Sequence, residues 1–154
     1  MKKCIIYMLL ISLFTIFSGC EKKENNNPAY YQCDKVLEYL STKDKIGLKS
    51  LFCEEVKNNK DFDAQLENVI NYFDGKIISH DNYSIASGDE FSEGKLIQKH
   101  ASPIIYNVKT DTSMVYTVSF FTYIENEDTN KIGITLLGVK TKEFEQEAGY
   151  FIPY

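Results

Sequence analysis

The hydrophobic period changes once along this chain, close to Gly75, and that change fixes what it can fold into. Before it, apolar residues recur every three or four positions. Phe62, Leu66, Val69, Ile70 and Phe73 fall on one stripe of a helix. After it, the period is two. Met114, Tyr116, Val118, Phe120, Thr122 and Ile124 share one face of a strand, and Val115, Thr117, Ser119, Phe121 and Tyr123 share the other. Helices followed by a run of strands predict an α+β domain, with the helices packed on one face of an antiparallel sheet.

Finer reading places three helices before the change. In the first, Tyr30, Cys33, Leu37 and Leu40 stand at helical spacing. Ser41 or Thr42 can cap a second helix, with Asp44 in its first turn and Leu48, Leu51, Phe52 and Val56 on one arc. Asp61 caps the third, and Gly75 ends it. Beyond it, Lys76–Ser79, Tyr83–Ser87, Lys95–Lys99 and Pro103–Thr110 are candidate strands. The segment Glu125–Asn130 turns Met114–Ile124 back onto a partner strand over Ile132–Val139. Gly133 and Gly138 suggest bends or bulges there. Thr141–Tyr154 shows no period.

The N-terminus belongs to a different kind of segment. Lys2 and Lys3 precede an apolar run from Ile5 to Phe17, shorter than the roughly 20 residues a membrane-spanning helix needs. Ser18 and Gly19 follow as small residues, then a cysteine. Phe17-Ser18-Gly19-Cys20 resembles the lipobox of bacterial lipoproteins, with Phe17 where leucine is usual. The resemblance implies a lipoprotein signal peptide over residues 1–19. It also implies a diacylglyceryl thioether on Cys20, and a location outside the cytoplasm on the outer face of the cell membrane. Two acyl chains hold where one does not, since each buried CH₂ contributes about 0.8 kcal/mol. Residues 20–29 then read as a solvated tether, because Glu21–Asn27 offers no apolar side chain to bury. One domain fills residues 30–154.

From Cys20 onward the chain carries 15 lysines against 22 acids, and it has no arginine. An acidic surface without arginine speaks against nucleic acid, whose phosphates need clustered cations. It suits a basic partner.

The segments LSTKDKIGLKSLFC, LENVINYFDGKIIS and DTNKIGITLLGV resemble a family of short bacterial lipoproteins known as domain of unknown function 5104. The order of three helices and then bent strands is also similar to the cone of the cystatin-like, nuclear-transport-factor-2-like (SnoaL-like) superfamily. The resemblance implies a pocketed cone and no established activity.

Candidate chemistry is sparse. A hairpin hinged near Lys43 sets Cys33 opposite Cys53, each ten positions from the hinge. They read either as a disulfide, worth roughly 3 kcal/mol if the geometry permits, or as two buried free thiols. His80, beside Asp81, and His100 are the two histidines, and both sit in turn-like sequence. Glu125, Glu127 and Asp128 read as a charged hairpin tip and lack the glycine and distal glutamate of a calcium loop. No metal site, cofactor motif or catalytic signature is expected. Eleven tyrosines and ten phenylalanines are many for 154 residues. Tyr106, Tyr116, Phe121 and Tyr123 are candidate ligand- or partner-facing aromatics on the strands. A tail over Phe144–Tyr154 could instead cover that sheet face.

The expected function is a surface-anchored, non-catalytic binding module for a protein or a small apolar ligand. Two other readings stand beside it. One is an enzyme with a hydrophobic cone and a His/Asp base. The other is an immunity-type protein that masks a secreted partner.

Overall fold

A computed structural model describes residues 27–150. Cys20, the segment read as a signal peptide and residues 151–154 lie outside the described residues, as does most of the tether. The first helix, α1 (Pro28–Thr42), starts earlier than expected. Asn27 caps it by accepting from the Ala29 amide at 3.0 Å, and Pro28 takes the first helical position, where no amide is needed. Residues 28 and 29 are therefore helix and not tether.

α1 ends at Lys43, which adopts a left-handed backbone (φ 57°). Asp44, not Ser41 or Thr42, caps α2 (Lys45–Ser50), accepting from the Gly47 amide at 2.8 Å. The arc expected to run on to Val56 breaks after Ser50. The backbone there docks on a strand: the Ile134 amide donates to Leu51 O at 2.9 Å, and the Cys53 amide donates to Ile134 O at 3.0 Å. A one-turn helix, α3 (Glu54–Lys57), follows. The stripe read over Phe62–Phe73 is buried throughout, and α4 spans Phe62–Tyr72.

Among the described residues, six strands form one antiparallel sheet: β1 (Ile77–Ser79), β2 (Ser84–Ser92), β3 (Lys95–Thr110), β4 (Val115–Asn126), β5 (Gly133–Lys140) and β6 (Glu145–Gly149). The order is β1-β3-β4-β5-β6, and β2 lies along β3 as well. β1 pairs with the Lys109–Thr110 end of β3, and β2 pairs with Lys95–Ile104. The two segments read as separate strands around His100 and Pro103 are thus one strand. Pro103 has no amide to give, and the β3–β4 ladder steps from Ala101–Thr122 to Ile104–Ser119 across it.

Bulges bend the sheet. One falls between Ile105 and Val108, where Asn107 takes φ 52°, so that both flanking residues stay buried. Another sets Thr135 as the extra residue between Ile134 and Leu136. At Gly133, φ is 122°, and a Cβ would stand 2.9 Å from the Cys53 amide nitrogen. Glycine alone lets the 51–53 backbone approach β5 there.

The core lies between the helices and one sheet face. Phe62 packs on Phe52 with ring centroids 4.7 Å apart, and Phe73 stacks on Tyr116 at 4.6 Å. Each such fully buried side chain contributes about 1.5–3 kcal/mol of transfer free energy. The tail does not blanket the sheet as far as Tyr150. Residues 145–149 extend it by pairing with β5, and Phe144 is 66% exposed.

Candidate functional site

The helix face Asp34, Leu37, Glu38 and Ser41 recurs at i, i+3, i+4 and i+7, so it is continuous along α1. Ile77, His80 and Tyr83, from β1 and the β1–β2 connection, stand across from it. Together they line an open groove of about 240 Å³. Leu37, 5% exposed, is part of its floor. The Ile77 amide donates to Ser41 Oγ at 3.0 Å and ties strand to helix.

Tyr83 and Asp34 make the groove's central polar contact: the phenol donates to the carboxylate. Burial first, then that bond and the Asp34 charge, hold the Tyr83 phenol well above the ordinary tyrosine range. The His80 ring stacks on Tyr83 at 5.3 Å and 10°, and Tyr30 tilts against Tyr83 at 5.8 Å. Glu38 binds Lys35 Nζ at 2.8 Å, and that lysine also lies near the Tyr31 and Tyr39 rings. The groove therefore offers hydrogen-bond acceptors, two of them carboxylates, beside an aromatic wall.

His80 and Asp81 do not form a side-chain dyad. His80 Nδ1 lies 2.7 Å from the Asp81 carbonyl oxygen, and it must carry a proton to donate there. The Asp81 carboxylate instead accepts from Asn107 Nδ2 at 2.7 Å.

His100, expected in a loop, sits within β3 opposite Gly88 and Tyr123. A Cβ on Gly88 would meet its ring at 2.8 Å, so glycine leaves room for the imidazole. The ring stacks on Phe121 at 5.3 Å and meets Tyr123 edge-on at 6.4 Å.

The four aromatics picked out on the strands do not share one accessible face. Tyr116 is 1% exposed, and its hydroxyl accepts from the Asp74 amide at 2.9 Å and donates to Tyr72 O at 3.2 Å. It closes the end of α4 and is core. Tyr123 is likewise 1% exposed, Phe121 is half-buried, and Tyr106 is exposed beside the Asn107 bulge. Tyr123, of opposite parity to Tyr116 along β4, is buried among other rings: it meets Phe121 edge-on at 5.3 Å and His100 at 6.4 Å.

Cys33 and Cys53 are both buried and free. The hairpin symmetry that paired them fails because α2 stops at Ser50, leaving Cys53 at the start of α3. Burial, reinforced by the Asp34 charge, pushes the Cys33 thiol up to about 12. The Glu125–Asp128 region is a hairpin tip: Asp128 accepts from the Asn130 amide at 3.0 Å, and Glu127 pairs with Lys95 at 2.7 Å. Among the described residues no group of three or more His, Cys, Asp or Glu is placed to hold a metal ion. Among the same residues, no helix is long and apolar enough to cross a membrane.

The groove was missed in the sequence because its residues are 49 positions apart. A signal was present in the acidic pair Asp34 and Glu38, exposed residues one turn apart that border the buried Leu37.

The family model described as domain of unknown function (DUF5104) matches residues 35–143, and the chain belongs to that family. The match takes in every groove residue except Asp34, which lies one position before it. No curated protein matches the chain.

Proposed function

We propose that this member of the DUF5104 family is a lipid-anchored surface protein whose folded domain is a non-catalytic binding module. Cys20 carries the anchor on the outer face of the cell membrane, and the residues up to Asn27 give the domain reach. The fold is read as the nuclear-transport-factor-2-like cone. What supports that reading is that the long strands β3 and β4 carry bulges between them, which bend a sheet.

The observation that carries the binding reading is the groove between α1 and the β1–β2 connection. It is open, and it has an apolar floor at Leu37 and Ile77 and polar groups on its rim. That is the composition of a recognition site, in which apolar area gives adhesion and a few polar groups fix orientation. The aromatics expected to form a sheet-face site are largely in the core, so the recognition surface moves from the sheet to this groove. The acidic chain favours a basic partner, which also fits a protein that masks another secreted one.

Photo-crosslinking in intact cells tests the reading. p-Benzoylphenylalanine at His80 keeps an aromatic ring in the groove, and the same group at Ile46, 85% exposed, samples open surface. A discrete adduct from position 80 and none from position 46 is expected. Identical patterns from both positions would contradict it.

A further inference from the structure

Resting on the binding reading, we infer that the groove takes an alkylammonium group: a positively charged nitrogen at the end of an aliphatic stem, as in a lysine side chain or a free diamine.

Three features of the groove converge on that chemistry. Asp34 and Glu38 stand one helical turn apart on the same face, with Cβ atoms about 5–6 Å from one another by helix geometry. Like charges at that spacing oppose the helix, and a cation between them removes the repulsion. Asp34 spends one oxygen, Oδ1, on the Tyr83 hydroxyl, and Glu38 spends Oε2 on Lys35. The second oxygen of each carboxylate is left to accept from an ammonium, which has three donors and no acceptor.

The wall beside them is aromatic, with His80 and Tyr83 stacked, and supplies apolar ring surface alongside the carboxylates. The floor is Leu37 and Ile77, an apolar track for a methylene stem. A volume of about 240 Å³ suits one such side chain and not a large ligand. The lining holds two carboxylates and no lysine, a balance that repels an anion. The chain already holds one cation this way: Lys35 Nζ lies 2.8 Å from Glu38 and within 6 Å of the Tyr31 and Tyr39 rings.

Protein-detected amide shifts of the full chain in detergent micelles test the inference. The probes are N-acetyl-lysine methylamide, 1,4-diaminobutane, and N-acetyl-norleucine methylamide, which has the stem without the charge. Saturable shifts at Asp34, Leu37, His80 and Tyr83 are expected from the cationic probes. Asp34→Asn and Glu38→Gln should each weaken that binding on the order of tenfold, the scale of a charge-assisted hydrogen bond. Both replacements keep an oxygen acceptor, so the Tyr83 contact and the groove's shape survive. Tighter binding of the lysine amide points to a protein partner, tighter binding of the diamine to a small amine, and either supports the inference. Equal binding of the norleucine amide would overturn it while leaving a binding groove. Shifts that do not saturate, or that persist unchanged in both variants, would overturn it too. Failure of the binding reading itself is seen separately, in the crosslinking from position 80.

Discussion

The hydroxyl of Tyr83 donates to the carboxylate of Asp34, joining the β1–β2 connection to the middle of α1 across 49 residues of sequence. Burial and this neighbouring negative charge hold the phenol protonated beyond the ordinary tyrosine value of 10.0. A raised folded-state value means that the native protein keeps a proton the unfolded chain has given up. The contribution is then complete below about pH 10 and lost as pH rises through the folded value. Urea unfolding of the native chain and Tyr83→Phe, at about pH 8 and about pH 11, should show the gap between them narrowing at the higher pH. A gap independent of pH would mean that the phenol's proton does not matter to the fold.

Cys33 and Cys53 should behave as buried thiols. With Cys33 pushed up to about 12 and Cys53 raised by burial, thiolate is scarce near neutral pH. Iodoacetamide should modify the native protein slowly and both positions fully after denaturation without reductant. A mass two hydrogens lighter, with neither position alkylated, would establish the disulfide instead.

Lys43 closes two helices at once. Its backbone ends α1 in the left-handed region, and its ammonium caps α4 by donating to the carbonyls of Ile70 and Phe73. Lys43→Met should cost about 1–2 kcal/mol, the scale of a hydrogen bond with a charged donor. Lys43→Gly loses the same cap but relieves the left-handed backbone, so it should fall between Met and the native residue. Thermal unfolding of the three proteins checks the order, and a Met variant as stable as the native chain would show the cap to be ornamental.

Gly133→Ala should destabilise by about 2 kcal/mol or more. Its Cβ would stand 2.9 Å from the Cys53 nitrogen and 3.0 Å from Leu51 O, in a conformation that side chains resist. Gly138→Ala, whose nearest neighbour would be the Ser119 hydroxyl at 3.3 Å, should be much milder. Equal unfolding midpoints for the two would contradict this account of the docking of segment 51–53.

The fold class was legible in the sequence because burial is periodic. The α4 stripe and the alternation of β4 each follow from one packed face. What escaped were the places where backbone contacts override period. Leu51–Cys53 read as helix because its apolar residues fit a helical arc, yet its backbone pairs with Ile134. β3 read as two strands because Pro103 and the residues after His100 look like a turn, and only neighbours on both sides make them continuous. Alternation alone could not show that Tyr123 is buried, because His100 and the rest of its cover come from a neighbouring strand. The groove was hidden for a different reason. Asp34 and Glu38 look like solvated helix residues until Tyr83 and His80 arrive from beyond the helical half of the chain.

The most direct test of the account is where the protein resides when its anchor atom is changed. With the native sequence, the chain should sediment with membranes and label with a clickable fatty acid. Cys20→Ala should lose the label and shift to the soluble or secreted fraction. If the alanine variant sedimented with membranes as fully as the native chain, the lipid-anchored reading would be wrong.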